Sequence, residues 1–272
     1  MKRHISSILC KLVPVLAVFV LTVSATNAQL SPKPADATTT LKNAQKAYND
    51  KDYTQATKLY NDALSKKDNG LTESEKAEVC YNLGNCYYRL KEYPRAILNY
   101  QRSLKLQPGN KDAAFNLELT QAKLTDRFES PSEMFFVTWI RNVATSQSAD
   151  AWGHLALASL LVTLVLFAVY RLFSHKALQK TGFFGSIVLL LVTLAIYSLA
   201  AYQQQRVQNE QLFVVMSETP AYSTPSTSAP KTRTLNEGTT LKLADTANDN
   251  WIQIEMPDGK TAWINIATVE CV

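Results

Sequence analysis

The chain has 272 residues, a length for one or two domains, and a formal charge of +5. Six basic residues sit in or beside apolar runs, Lys2, Arg3 and Lys11 near the start and Arg171, Lys176 and Lys180 around a short polar gap, and without them the remainder carries −1. No basic face is left to neutralise phosphates, which excludes nucleic acid as a partner.

At the start, Lys2 and Arg3 precede the apolar "ISSILCKLVPVLAVFVLTVSA" and then "ATNAQ". Basic start, apolar middle and small residues before a cut after Ala28 describe a secretory signal over 1–28. The other reading is an uncleaved anchor helix, which Pro14 in mid-run disfavours. On either reading the chain beyond Ala28 is exported. Cys10 is not read as a lipidation site, because "SILC" lacks small residues before the cysteine.

Further on, apolar and aromatic residues return every three or four positions, Leu83, Tyr87 and Leu90 and then Ile97, Tyr100 and Leu104, which predicts helices. Gly84 interrupts that pattern, at a cost of about 1 kcal/mol against alanine. A repeat explains it. "YNDKDYTQATKLYNDAL" from Tyr48 to Leu64 matches "YRLKEYPRAILNYQRSL" from Tyr88 to Leu104 at an offset of forty, and removing "LTESEK" leaves a period of 34. Such self-similarity points to stacked supersecondary units rather than a closed enzyme fold.

The segment closely resembles the tetratricopeptide repeat, whose Leu-Gly-x2-Tyr, Ala, aromatic, small and Pro positions are met by Leu83, Gly84, Tyr87, Ala96, Tyr100, Ser103 and Pro108. The first unit has Asn43, Ala44 and Ala47 in place of Leu-Gly-Tyr and keeps Ala56, Tyr60 and Ala63. The resemblance implies an α-helical domain over 29–130, with repeats at about 37–70 and 77–110 and a capping helix over 111–126. Gly84, Ala44 and Ala96 are then small because partner helices touch there, so leucine at 84 should disrupt and alanine should be mild. The resemblance also implies a concave groove lined by the first helix of each pair. Lys42, Gln45 and Tyr48 from the first unit and Tyr81, Asn82, Asn85, Tyr88 and Arg89 from the second are the candidate partner-binding residues. Tyrosine and arginine are common interface anchors, and asparagine can hydrogen-bond a peptide backbone. The plainer alternative is that Tyr88 packs and the asparagines are ordinary repeat residues.

Catalytic resources are few. The three histidines are His4 in the signal, His154 at an apolar edge and His175 in the polar gap, so the exported parts hold none. No Ser–His pairing, metal-spaced cluster or phosphate loop stands out, and the expectation is a binding protein with no catalytic residue, cofactor or metal. Cys80 and Cys86, six apart on one helix, are separated by about 9 Å of rise. That is too far to bridge, and they read as buried small hydrophobes.

"SPSEMFFVTWIRNVATSQSADAW" carries an apolar aromatic cluster that is too short to span a bilayer, and residues 131–151 read as an interfacial connector, with packing under the repeats as the alternative. Residues 152–173 and 182–202 are each about twenty residues of nearly uncharged apolar sequence, enough to cross a bilayer core. The basic loop 174–181 between them belongs in the cytoplasm, which leaves both flanks outside.

After Tyr202 the texture turns to short β-branched runs split by turn signals: "LFVVM", "TLKLA", "NWIQIE" and "TAWIN". Asp258-Gly259 marks a tight hairpin. The order of "VV", a Ser/Pro loop over 224–233, "LNEGT", "NWIQI" and "DGKTAWI" resembles a small all-β bacterial SH3 barrel within 203–272, with Ala262 where such domains carry glycine. Trp251 and Trp263 line a candidate ligand cleft or fill the core, with core favoured for at least one.

The assembled order resembles the BatE-like tetratricopeptide proteins of the Bat aerotolerance system. That resemblance implies a non-enzymatic scaffold in a bacterial inner membrane, with both folded domains in the periplasm. It also implies partners among membrane proteins bearing von Willebrand factor A domains, and through them a MoxR-type ATPase, in tolerance of oxygen or envelope stress. A second reading is an envelope sensor whose barrel binds cell-wall glycan or peptide, although "SHKALQK" leaves no room for a cytoplasmic output domain.

Overall fold

A computed structural model describes residues 35–65, 70–124, 134–209, 211–248, 250–256 and 258–272. The signal expected over 1–28 lies outside them. The described chain forms two compact units, one of residues 35–153 with 197–272 and one of residues 154–196.

The first unit begins with five helices: α1 (Ala35–Asn49), α2 (Tyr53–Ser65), α3 (Glu73–Arg89), α4 (Tyr93–Leu106) and α5 (Lys111–Gln121). The offset of forty recurs in the geometry. Tyr60 Oη donates to Gln45 Oε1 at 3.1 Å, and Tyr100 Oη donates to Asn85 Oδ1 at 2.8 Å. Helices α1 and α3 end alike. The Lys51 and Lys91 amides donate to the Tyr48 and Tyr88 carbonyls, and the Asp52 and Glu92 amides to those of Ala47 and Tyr87. These are paired Schellman closures, in which the residue after the cap goes left-handed. Lysine takes that position in both repeats, at φ 63° and 64°, although glycine would fit with less strain.

Gly84 is buried against α4. A Cβ built there would lie 2.5 Å from Tyr100 Cε1. Tyr100 is 1% exposed, and Asn85 holds its hydroxyl. The ring therefore has little room to yield, which corrects the expectation that alanine would be mild: alanine also overpacks the contact, though less than leucine. "LTESEK" is more than a spacer. Thr72 Oγ1 accepts from the Glu75 amide at 3.2 Å while Glu75 Oε2 accepts from the Thr72 amide at 2.9 Å, a capping box that opens α3. Asn110 caps α5 through the Ala113 amide at 3.0 Å.

Helix α6 (Phe135–Ala144) lies within the connector. Met134, Phe135, Phe136, Val137, Trp139 and Ile140 are all exposed, Phe135 to 84%, so this face does not pack under the repeats. Ala144 is the fully buried residue of this helix, and its carbonyl accepts from Trp152 Nε1 at 2.9 Å.

The described residues form seven antiparallel strands, β1 (Leu212–Val215), β2 (Thr219–Tyr222), β3 (Lys231–Leu235), β4 (Thr240–Asn248), β5 (Trp251–Glu255), β6 (Thr261–Asn265) and β7 (Val269–Cys271). In space their order is β3-β2-β6-β5-β4-β1-β7. The polar loop ends sooner than expected, since Lys231 to Arg233 already pair with β2. Met256 and Lys260 close the β5–β6 hairpin at 2.9 Å, with Gly259 left-handed at φ 80°. Ile252, Ile254, Ala262 and Ile264 meet Phe213, Val215, Leu235 and Leu241 in the core, where Ala262 fits.

Repeats and barrel, expected as separate domains, share a core. Strand β1 has two apolar faces: Phe213 and Val215 enter the barrel, while Val214, fully buried, joins Ile97, Leu98, Tyr100 and Leu117 of the helices. Arg102 Nη2 donates to Glu270 Oε1 at 3.0 Å and to the Cys271 carbonyl at 2.7 Å, and Lys105 Nζ donates to the Val272 carbonyl at 2.8 Å.

Helices α7 (Ala149–Leu172) and α8 (Lys176–Asn209) outrun the apolar segments that announced them. Only residues 173–175 between them are non-helical, so most of the loop expected over 174–181 is helix. Hydropathy marks where lipid would be, not where helical hydrogen bonding stops. The same holds for residues 203–209, whose glutamines and arginine are good helix formers.

Within residues 154–196 the two apolar stretches meet through small and hydroxyl residues. Ser159 Oγ lies 2.6 Å from Thr193 Oγ1, and a Cβ at Gly182 would fall 2.7 Å from the Leu166 carbonyl oxygen and the Tyr170 nitrogen. Ala156, Thr163 and Ser186 are buried, while Leu157, Phe184, Val188 and Leu191 face outward. Small residues inside and bulky apolar ones outside is the pattern of helices packed in lipid. Both helices are long and apolar enough to cross a membrane.

Candidate functional site

The repeat helices enclose an open cavity of about 320 Å³ between α1, α3, α4 and α5. Tyr48 comes from α1, and Tyr81, Asn85, Tyr88 and Arg89 come from α3, as the resemblance implies. Lys42, Gln45 and Asn82 do not line it. Gln45 is taken up by the Tyr60 hydroxyl and by Asn49, whose Oδ1 accepts from Gln45 Nε2 at 3.2 Å.

Three residues complete the cavity: Tyr100 of α4 and Asn116 and Leu119 of α5. Asn116 Nδ2 donates to Asn85 Oδ1 at 2.9 Å, so that oxygen accepts twice, from Asn116 and from Tyr100. No acceptor among the described residues takes the Asn85 amide hydrogens. The site thus presents a fixed N–H donor, partly buried tyrosine rings and the exposed guanidinium of Arg89. A peptide could be held by its carbonyls and apolar side chains here. Burial pushes the Tyr60 and Tyr100 hydroxyls above their ordinary range, so both remain donors at neutral pH. Asn116 and Leu119 have no sequence signal of their own, because α5 carries the marks of a cap and nothing more. Tyr100 has the signal of a packing residue, and it both packs and lines the groove.

Tyr81 and Tyr88 are not purely groove residues. Their rings stand 6.2 Å from Tyr100 and 5.8 Å from Tyr93, and both flank the shared core.

On the barrel, the register sets Gln253 opposite Trp263 and Trp251 opposite Asn265, which puts both tryptophans on the sheet face away from Ile252 and Ile254. Trp251 is buried at 9% exposure, its ring edge-to-face with Tyr222 at 5.5 Å, while Trp263 is half-buried and pairs across strands with Tyr222. Neither sits in the main barrel core, and together with Tyr222 they make an aromatic patch.

Cys80 and Cys86 are buried free thiols, and Cys271 is an exposed one. Burial raises the Cys80 thiol to about 11 and the Cys86 thiol to about 12, so both stay protonated and unreactive.

Residues 77–110 match the tetratricopeptide repeat family, and residues 218–270 match the bacterial SH3 domain. The comparison with curated proteins returned no match. The chain carries a tetratricopeptide repeat and a C-terminal bacterial SH3 domain, modules that suggest protein–protein interaction or scaffolding.

Proposed function

We propose that the chain is a non-enzymatic, membrane-anchored scaffold of the BatE-like kind, whose groove recruits membrane proteins bearing von Willebrand factor A domains and, through them, a MoxR-type ATPase. The observation that carries this reading is the groove itself: fixed donor, aromatic walls and a cationic rim. The bonds that hold the barrel go to Arg102 and Lys105, and neither residue lines the groove. The barrel steadies the repeats and leaves the groove open.

The test is capture of a co-expressed membrane protein with a von Willebrand factor A domain by the full chain. Tyr81→Ala with Tyr88→Ala should remove anchors that typically contribute 2 kcal/mol or more, about thirtyfold in recovery. Because both rings also pack, Arg89→Glu is the companion variant; it is exposed, so the fold should survive while capture drops at least about tenfold. Unchanged capture in both would sink the scaffold reading. Retention of the full chain on purified sacculi, lost in Trp263→Ala, would favour the wall-sensor reading instead.

The scaffold sits in a bacterial inner membrane with both folded domains outside. Two arguments support this: the basic residues Arg171, Lys176 and Lys180 lie at the turn of the hairpin, and β1 packs on helices that precede the hairpin, which accords with both flanks on one side. In cells with permeabilised outer membranes, an impermeant maleimide should therefore label Cys271 and spare Cys80 and Cys86 until denaturation. Labelling of Cys271 only after the inner membrane is broken would overturn the orientation.

A further inference from the structure

A second cavity, of about 340 Å³, opens where α4, α5, α6, the end of α8 and β1 converge. Three cations line it, Lys105 from α4, Arg141 from α6 and Arg206 from α8, and no aspartate or glutamate is among the described residues of its wall. Like charges gathered from three separate elements repel one another, an arrangement that favours an anion among them. Val272 also lines the cavity and takes Lys105 Nζ on its carbonyl oxygen. Arg141 and Arg206 also make contacts within the protein, and a guanidinium has five donors with which to serve more than one partner.

Gln203 forms part of the same wall. It is 1% exposed, and its Oε1 has no hydrogen-bond partner among the described residues. A buried amide oxygen left without a donor is costly, and buried polar groups ordinarily find one. An O–H or N–H donor held beside an anion would satisfy it. Leu104, Leu117 and Leu212 supply apolar wall around it.

The elements that build the cavity also fix its setting. Gln203 and Arg206 follow directly on the apolar run that ends at Tyr202, the depth at which a spanning helix meets the headgroup layer. Helix α6, which supplies Arg141, exposes Phe135, Phe136 and Trp139, the residue types that settle at that layer.

We propose that this cavity binds the headgroup of an anionic phospholipid, its phosphoryl oxygens held by Arg141 and Arg206 with Lys105 beside them, and a headgroup hydroxyl donating to Gln203 Oε1. Phosphatidylglycerol carries both features on one headgroup. The assignment rests on the membrane reading of the hairpin.

The test uses the full chain in neutral detergent, titrated calorimetrically with dihexanoyl-phosphatidylglycerol, dihexanoyl-phosphatidylcholine and inorganic phosphate. The glycerol lipid should bind at least about tenfold more tightly than the choline lipid, and Arg141→Gln with Arg206→Gln should abolish that margin. Gln203→Met should weaken the glycerol lipid several-fold and leave the response to phosphate unchanged. Equal affinity for the two lipids, or a preference that survives the double substitution, overturns the proposal. Phosphate bound as tightly as the glycerol lipid assigns the cavity to a free anion and overturns the headgroup. Should the double variant lose its fold by circular dichroism, Arg206→Gln alone and native mass spectrometry of membrane-extracted wild type decide: co-purified phosphatidylglycerol is expected, and its absence counts against the site. Failure of the membrane reading is distinguishable, because it would show as release of the chain from membranes by alkaline carbonate.

Discussion

Gly84→Leu is expected to unfold the second repeat. Four side-chain carbons would enter a space where even a Cβ stands 2.5 Å from a buried ring. Overpacking of this kind costs about 1–3 kcal/mol. Here the obstruction is fixed from two sides, by the Asn85 bond to the Tyr100 hydroxyl and by the core around the ring. Leucine would have to displace α4, and with it the seat of the barrel. Gly84→Ala should destabilise by less, since better helix propensity offsets part of the clash. Hydrogen exchange of the full chain is the measurement, read as protection in α3 and α4. Equal protection in the leucine variant and wild type would refute the close-contact account.

Val214→Asp should part the barrel from the repeats without dismantling either core. Val214 is fully buried among helix residues, while its neighbours Phe213 and Val215 belong to the barrel. Val214 lies among apolar and tyrosine side chains and pairs across strands with Glu270, so burying a second carboxylate there would cost about 3 kcal/mol. Arg102→Glu should act on the same seam more weakly, because its bridge to Glu270 is partly solvated. Limited proteolysis should then cut between α8 and β1 in the aspartate variant and leave the wild type intact. Resistance equal to wild type would mean that the shared core does not hold the two modules together.

Much of this architecture is legible because repetition is visible in a single sequence. The forty-residue offset pairs Gln45 with Asn85 and Tyr60 with Tyr100, and the hydrogen bonds reproduce that pairing. Gly84 announces itself by breaking a pattern. Five of the eight candidate groove residues line the cavity, since helix periodicity assigns a face. Lys42, Gln45 and Asn82 fall outside it, because a face is wider than a cavity. The docking of the barrel is much less legible. "LFVV" has no polar alternate, and a strand apolar on both faces asks for two partners. Nothing in the sequence says that the second partner is α4, nor that Arg102 and Lys105 spend their charge on main-chain oxygens and Glu270 rather than in water. The capping box at Thr72 and Glu75 has a readable spacing, but it sits in the segment that the period of 34 treats as an insertion. The tryptophans show the limit of residue type as a guide: both lie on the outer face of the sheet, and only the strand register reveals it.

The shared core makes the folded unit discontinuous along the chain, and that imposes an order on its assembly. Helix α4 leaves the ribosome long before β1, and the hairpin intervenes. Until β1 arrives, the apolar seat around Ile97 and Leu98 lacks the strand that covers it in the finished protein. Closing a loop of about a hundred residues to bring Val214 home costs chain entropy that grows only slowly with length. Delivery of the strand to the correct side matters more than the distance. If the hairpin spans a membrane as proposed, one inserted with the wrong number of crossings would strand β1 across the bilayer from its seat and leave the repeats open to proteases and chaperones. On the membrane reading proposed above, the seam between repeat and barrel would close only in chains whose two spans are both in place.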